Sequence, residues 1–239
     1  MTLPLVSCIL ATRNRQLFLC QAIKYFLSQA YANKELVIID DSLESAAELV
    51  PDNAAITYIK LDAPMALGSK LNLGIGAAFG QIIQKLDDDD YYHPDFLQTT
   101  VSALLPGDPG RAVVGLDCFL VFIAATGELK FSGHGWCAGG TLCFFKKHWE
   151  RGRFRDVPRA ADWWFLRDHP TERVKVCSPE LYILVRHHAG HLWKTLNGRD
   201  VNEYFYRCPA YRKRLADCLS MGDQAFYRRL STISSSTSS

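Results

Sequence analysis

The chain has 239 residues, of which 48 % are hydrophobic and 22 % charged, and its formal net charge is +2. That is enough apolar material for a sizeable core and excludes an intrinsically disordered chain, while the near-balance of charge gives no global reason to expect a nucleic-acid partner. Acid exceeds base over residues 1–110 and base exceeds acid over 111–239, a polarity suited to a site that needs both an anion and a cation.

Taken in chain order, residues 5–10 form a short apolar run and read as a buried strand. Residues 16–29 place Leu17, Ala22, Ile23, Phe26 and Leu27 near helical spacing. Residues 35–39 (ELVII) are a second buried strand, ending at Asp40 and Asp41, and residues 57–61 a third. Residues 69–79 read as a helix with Ser69 as N-cap and Gly80 as stop. Residues 81–86 (QIIQKL) are a fourth strand that runs into four aspartates, and 94–105 a further helix. This alternation predicts an α/β fold with a mostly parallel sheet and helices on both faces, and ligands in such sheets sit outside the carboxyl ends of the strands. The polar residues 12–14, 40–41 and 87–90 all fall at such ends.

The second half is less regular. Residues 112–125 read as one or two strands, with Thr126 and Gly127 suited to a hairpin turn. Residues 139–145 read as a strand, 160–167 as a short helix, and 174–177 and 181–185 as strands. Residues 201–230 are helical in pattern, broken near Pro209 and Gly222, and the serine-rich tail 231–239 reads as disordered. The expected organisation is a single domain over 1–230, with halves 1–105 and 106–230.

Eight cysteines are scattered without C-x-x-C spacing, so no zinc or redox motif is legible and the thiols read as reduced and mostly buried. The opening LPLVSCILA lacks a basic lead and reads as a strand, and AVVGLDCFLVFIAA is too short to span a bilayer and contains Asp117. These features lead to an expectation of a cytoplasmic chain with at most peripheral membrane contact.

The strongest chemical signal is KLDDDDYYHPDFL, residues 85–97. Neighbouring carboxylates repel by roughly 0.5–1 kcal/mol per pair even in water. Placing four after a buried strand calls for a counter-charge, which a hard divalent cation supplies. A solvated acidic turn or helix N-terminus is the plain alternative. The paired Asp40 and Asp41 suit a base N–H or a ribose hydroxyl, or merely an Asx turn. In LGSKLN, Gly68 permits close backbone approach, and Lys70 in a first helical turn can meet a phosphate, or the segment is an ordinary capped helix.

Together TRN, VIIDDS, LGSKLNLGIGAAFG and KLDDDDYYHPDFL, in this order over residues 3–105, resemble the nucleotide-sugar motifs of family 2 glycosyltransferases with the GT-A fold. The resemblance implies transfer of a sugar from a nucleoside diphosphate donor to a hydroxyl, with inversion and with Mg²⁺ or Mn²⁺. It assigns the nucleoside to Thr12, Arg13, Asp40 and Asp41, with Asp87 and Asp88 beside the ribose, and the metal to Asp89. Lys70 takes the diphosphate, because Leu71 stands where the family often has Arg. It implies a catalytic base in RAADWWFLRD, where Asp162 precedes Trp163 and Trp164, although Ala161 replaces the usual acidic partner. One carboxylate suffices to take a proton from an acceptor hydroxyl, and the indoles suit stacking on an acceptor ring. GHGWCAGGT resembles the loop before the acceptor site, with Trp136 as a stacking wall or a plain core residue. His187 or His188, in VRHHAGHLW, is a candidate third metal ligand. The acceptor class stays open between a sugar, a lipid-linked acceptor and a small molecule. The rivals are a nucleotidyltransferase, disfavoured because ATRNRQLF lacks glycine after the first strand, and a non-catalytic nucleotide-sugar-binding module.

Overall fold

The computed structural model describes residues 3–187, 194–196 and 198–236. The first half runs β1 (Val6–Thr12), α1 (Gln16–Leu27), β2 (Lys34–Asp40), β3 (Ile56–Lys60), α2 (Leu67–Ala77), β4 (Ile82–Asp87), β5 (Tyr91–Tyr92) and α3 (Phe96–Leu104). The second runs β6 (Ala112–Leu116), β7 (Leu120–Ile123), β8 (Glu128–Phe131), β9 (Cys143–Phe145), α4 (Lys146–Arg151), α5 (Ala161–Asp168), β10 (Glu172–Val176) and β11 (Tyr182–Arg186). It ends with β12 (Thr195–Leu196), β13 (Arg199–Asp200), α6 (Val201–Arg207), α7 (Leu215–Cys218) and α8 (Met221–Ser236).

The central sheet has the order β10-β6-β9-β4-β1-β2-β3. Strand β9 is antiparallel to both its neighbours, and the other pairings are parallel. The sheet is therefore mixed, and three of its strands come from the second half of the chain. Its strands are apolar on both sides because both faces are covered. Along β1 and β2, Cys8, Leu10, Leu36 and Ile38 face one core with residues of α1 and α3. Ile9, Val37 and Ile39 face another with Leu71 and Ile75 of α2 and Ala161 and Phe165 of α5. A second sheet, β5-β11-β7-β8, packs with Tyr227 and Leu230 of α8 around a third core.

Most predicted elements are present with boundaries moved by a few residues. The helix expected from Ser69 begins two residues earlier, and Ala66 is its N-cap. Ser69 instead bonds the Asp156 carboxylate through its hydroxyl. Residues 139–141 are a 3₁₀ turn, and only Cys143–Phe145 of the expected strand pairs. At the C-terminal end α8 runs through Ser236, so the tail expected to be disordered from 231 starts as helix. Of the eight thiols, Cys20 and Cys177 are exposed.

Two glycines of α2 differ in a way that can be measured. A Cβ on Gly68 would fall on the carbonyl of Arg155, whereas one on Gly76 meets nothing within 4 Å. Helix propensity favours alanine at both positions by up to about 1 kcal/mol. Gly76→Ala is expected to gain about that much. Gly68→Ala is expected to lose about 1–3 kcal/mol because the clash involves backbone that must move. Urea denaturation of the two variants measures the opposite signs.

Candidate functional site at the carboxyl end of the central sheet

Strand β4 delivers the four aspartates to the rim of the sheet, and their exposure alternates. Asp88 and Asp90 are 4 % and 2 % exposed, while Asp87 and Asp89 are half-buried. Asp88 accepts a hydrogen bond from Thr12 Oγ1 at 2.7 Å and one from Arg15 Nη1 at 2.7 Å. Burial and the neighbouring Asp89 push its carboxyl up to about 6, against the pull of Arg15 and Thr12. Asp90 accepts from the Tyr182 hydroxyl and, at 2.8 Å, from the Val185 amide. Burial, Asp89 and Asp87 hold it well above the ordinary carboxylate range. The two inward aspartates thus tie β4 to the β1 end and to β11, and Asp87 and Asp89 are left on the open side.

Lys85 and Arg15 are among the cations beside this cluster. Lys85, 3 % exposed, donates to Asp87 Oδ1 at 2.6 Å and lies 3.7 Å from Asp162 Oδ1. Burial works against its charge, but Asp162, Asp87 and Asp90 outweigh it and keep the ammonium protonated beyond the usual lysine range. Arg15 donates to Asp89 Oδ2 at 2.9 Å as well as to Asp88, and it too is raised because these partners overcome desolvation. Asp162 stands in the first turn of α5, after Ala160 in the left-handed region at φ 55°. Its Oδ1 is buried without a hydrogen-bond partner among the described residues. Gly139 and Gly140 make this approach possible. A Cβ on Gly139 would strike the Asp162 carboxylate, and one on Gly140 would lie 2.7 Å from Asp87 Oδ2 and 2.6 Å from the Tyr182 hydroxyl oxygen.

The other predicted residues divide clearly. His187, at the end of β11, has its Nε2 3.1 Å from Asp89 Oδ2 and its ring stacked on Phe18 at 4.4 Å. His188 lies outside the described residues. Asp40 is fully buried and receives Ser42 and the Tyr58 hydroxyl. Asp41 takes Lys70 Nζ at 2.7 Å and the Met65 amide at 2.9 Å, and Lys70 also donates to the Thr12 carbonyl. These carboxylates and Lys70 are therefore already engaged by the protein. Arg13 is exposed, in a turn where Asn14 adopts φ 52°.

Trp136 packs against Phe119 and Phe205 and donates its Nε1–H to the Ser132 carbonyl. On α5 the core face is Ala161, Phe165 and Leu166, so the tryptophans do not fill the core. Trp163 is 51 % exposed, and Trp164 carries the Arg155 guanidinium 3.7 Å above its ring. Arg15 and Lys85 were not singled out from the sequence. Lys85 had a signal, since a lysine two residues before Asp87 on a buried strand needs an anion on its own face. Arg15 had none, because only the fold brings it to residues 73 and 74 positions away. A cavity of about 360 Å³ lies elsewhere, lined by Gly110, Arg111, His148, Arg151, His169 and Pro170, and shares no residue with this cluster.

Asp87 and Asp89 on the open side, with an imidazole beside Asp89, are donors of the kind a hard divalent cation takes, and among the described residues they do not converge within 4.8 Å as a set of three. Without a cation, the raised Asp88 carboxyl has a stability consequence. The folded chain keeps this proton up to about pH 6, whereas an unfolded aspartate releases it near 3.9. Stability from this group is therefore greatest below that lower value and falls as pH rises through the window between the two. Denaturation in chelator from pH 4 to 7 is expected to show a shallower fall for Asp88→Asn than for the wild type.

The profile of the family described as Glycosyl transferase family 2 matches residues 7–127, which include β1 to β4, the acidic cluster and Arg15. The putative colanic acid biosynthesis glycosyl transferase WcaA of Escherichia coli is 36 % identical over 99 residues, covering 39 % of this chain and 36 % of the relative. Succinoglycan biosynthesis protein ExoO of Rhizobium meliloti is 34 % identical over 118 residues, covering 48 % of this chain and 34 % of the relative. The chain thus matches about a third of the length of these two curated relatives.

Among solved structures, Staphylococcus aureus TarS residues 1–349 in complex with UDP-GlcNAc superposes with a TM-score of 0.63 at 14 % identity. The match covers 78 % of this chain and 60 % of that one. The mannosyltransferase PcManGT of Pyrobaculum calidifontis, in complex with GDP-Man and Mn²⁺, gives 0.60 at 17 % identity, covering 77 % and 57 %. At these identities the likeness establishes the fold, which is GT-A. With the family profile spanning half of its length, the chain belongs to glycosyl transferase family 2.

Proposed function

We propose that the chain moves a sugar from a nucleoside diphosphate donor to an acceptor hydroxyl in a single inverting displacement, with Asp162 as general base. The observation that carries this reading is the Lys85 ammonium, which lies between Asp87 and Asp162. It sets a donor-side carboxylate and the candidate base against one buried charge, though they come from strand β4 and helix α5. Family membership and the nucleotide-sugar complexes of the structural neighbours TarS and PcManGT support the donor class.

Asp89, with Asp87 and His187 beside it, would hold a divalent cation, Mg²⁺ or Mn²⁺, which would supply positive charge to the diphosphate leaving group. Lys85 sets a buried positive charge 3.7 Å from Asp162 Oδ1, and the Asp162 carboxylate accepts the proton of the acceptor hydroxyl as that oxygen attacks the anomeric carbon. Gly139 and Gly140 let the loop ahead of β9 pack directly against both carboxylates. Trp163, exposed beside Asp162 in the chain and with Arg167 over one face, offers its other face to an acceptor ring, and Arg155 stacks on its neighbour Trp164. The names of the relatives, which refer to colanic acid and succinoglycan biosynthesis, make a saccharide acceptor the first class to assay.

Thermal shift with UDP-, GDP-, dTDP- and CDP-sugars, with and without Mn²⁺, is expected to show stabilisation by one nucleotide class that needs the metal. The absence of a shift with every donor, together with no transfer to saccharide acceptors, overturns the reading. Asp89→Ala is expected to lose the metal-dependent shift. Asp162→Asn is expected to keep the shift but lower kcat by roughly 10²–10⁴-fold. A wild-type kcat in Asp162→Asn removes the assignment of the base.

A further inference from the structure

We propose that Cys118, His134 and Cys177 bind a zinc-class divalent cation at the β6–β10 end of the central sheet, with water completing its shell. No short spacing in the sequence marks these residues: the two cysteines are 59 positions apart, and His134 is 43 from Cys177. The fold assembles them. Strands β6 and β10 are parallel, with Leu116 opposite Val176, and the Asp117 amide donates to the Val176 carbonyl at 2.9 Å. Asp117–Cys118 and Cys177 therefore leave the sheet side by side. The loop after β8 returns to the same place. His134 sits between Gly133 and Gly135, both left-handed at φ 78° and 99°. The Gly135 amide donates to Asp117 Oδ1 at 3.1 Å, and the Trp136 amide donates to the Asp117 carbonyl at 3.0 Å.

The spacing of the donor atoms fits a tetrahedral ion. Cys118 Sγ and Cys177 Sγ are 3.6 Å apart, Cys177 Sγ and His134 Nδ1 3.8 Å, and all three donors lie within 4.8 Å of one another. Zinc bonds of about 2.3 Å to sulfur and 2.0–2.1 Å to nitrogen give donor separations of about 3.5–3.8 Å at tetrahedral angles. Beside this group, Asp117 Oδ2 is 2.8 Å from His134 Nδ1 and orients the ring. Lys175 holds the other Asp117 oxygen at 3.0 Å. Two thiolates, one carboxylate, the lysine and a divalent ion together are neutral. Two soft sulfurs and an imidazole select zinc-like ions over the hard cations that suit the aspartate cluster.

Cys118 is buried while Cys177 and His134 are exposed, so an ion enters from solvent and stays anchored to the sheet. On binding, each thiol loses its proton to water, and the imidazole offers the Nδ1 lone pair with its proton on Nε2. The ion staples residues 133–138 to the sheet end, immediately ahead of Gly139 and Gly140 beside Asp162.

The test uses the full chain, reduced, stripped with chelator and titrated with Co²⁺ in excess Mg²⁺, which occupies the carboxylate cluster. One equivalent of cobalt is expected to give thiolate-to-metal charge-transfer absorption and the visible bands of a tetrahedral site, and Zn²⁺ should displace it. Cys177→Ser and His134→Ala are expected to weaken cobalt binding by more than about 100-fold, beyond the ~10–100-fold typical of losing a hydrogen-bond partner of a ligand. Circular dichroism should confirm that both variants are folded. Cys20→Ser, an exposed thiol on α1, should bind as the wild type does.

Absence of thiolate absorption overturns the proposal, as does cobalt binding of wild-type affinity in Cys177→Ser. A Cys118–Cys177 disulfide in the isolated protein, with no cobalt absorption after reduction, also overturns it and identifies a redox pair instead. None of these results bears on the transferase reading, whose assays do not involve this cluster.

Discussion

Carboxylates can be gathered at the rim of a packed sheet only if cations are fixed beside them. Lys85 from within β4 and Arg15 from the turn after β1 meet that requirement from two directions. Deleting one member of a buried ion pair leaves the other uncompensated at a cost of about 3–5 kcal/mol, so these cations are bound into the fold as firmly as the apolar core. The rest of the corner follows from them. Lys85 draws Asp162, and with it the start of α5, towards β4, and Arg15 bridges Asp88 and Asp89 and so fixes the turn that carries them.

The same arrangement divides four identical residues into two kinds. Asp88 and Asp90 have their oxygens filled by Thr12, Arg15, Tyr182 and the Val185 amide. Burial then raises the protonation of both carboxyls. Asp87 and Asp89 remain on the open side, Asp87 beside Lys85 and Asp89 beside Arg15 and His187. A hard metal needs oxygens within reach of solvent, and the alternation supplies them at every second position, although burial raises the Asp87 carboxyl as well. Close packing completes the geometry: two consecutive glycines let one loop lie against Asp87 and Asp162 at once, a contact that any Cβ would prevent.

Much of the fold was legible because burial on two faces writes itself as unbroken apolar runs. The first four central strands and helices α1 and α3 lie within a few residues of their expected places for that reason. Strand β9 shows where such legibility ends. Its residues Cys143–Phe145 lie within the strand expected over 139–145, but their antiparallel place between β4 and β6 is set by the chain path and not by any period. The candidate site was legible to a similar extent. The acidic run announced itself by mutual repulsion, and His187 did reach Asp89. Asp40, Asp41 and Lys70 were read as donor contacts, but the fold closes them on one another, on Ser42 and Tyr58, and on the Thr12 and Met65 backbone.

The sequence by itself determined the family, the α/β class and the segment that carries the acidic cluster, since these depend on residue order and local periodicity. Only the tertiary structure decided which aspartates turn inward, that Lys85 and Arg15 are their counter-ions, and that Cys118, His134 and Cys177 converge. Each of those facts is a distance between residues far apart in the chain, and such distances are set by strand register and packing rather than by spacing along the chain.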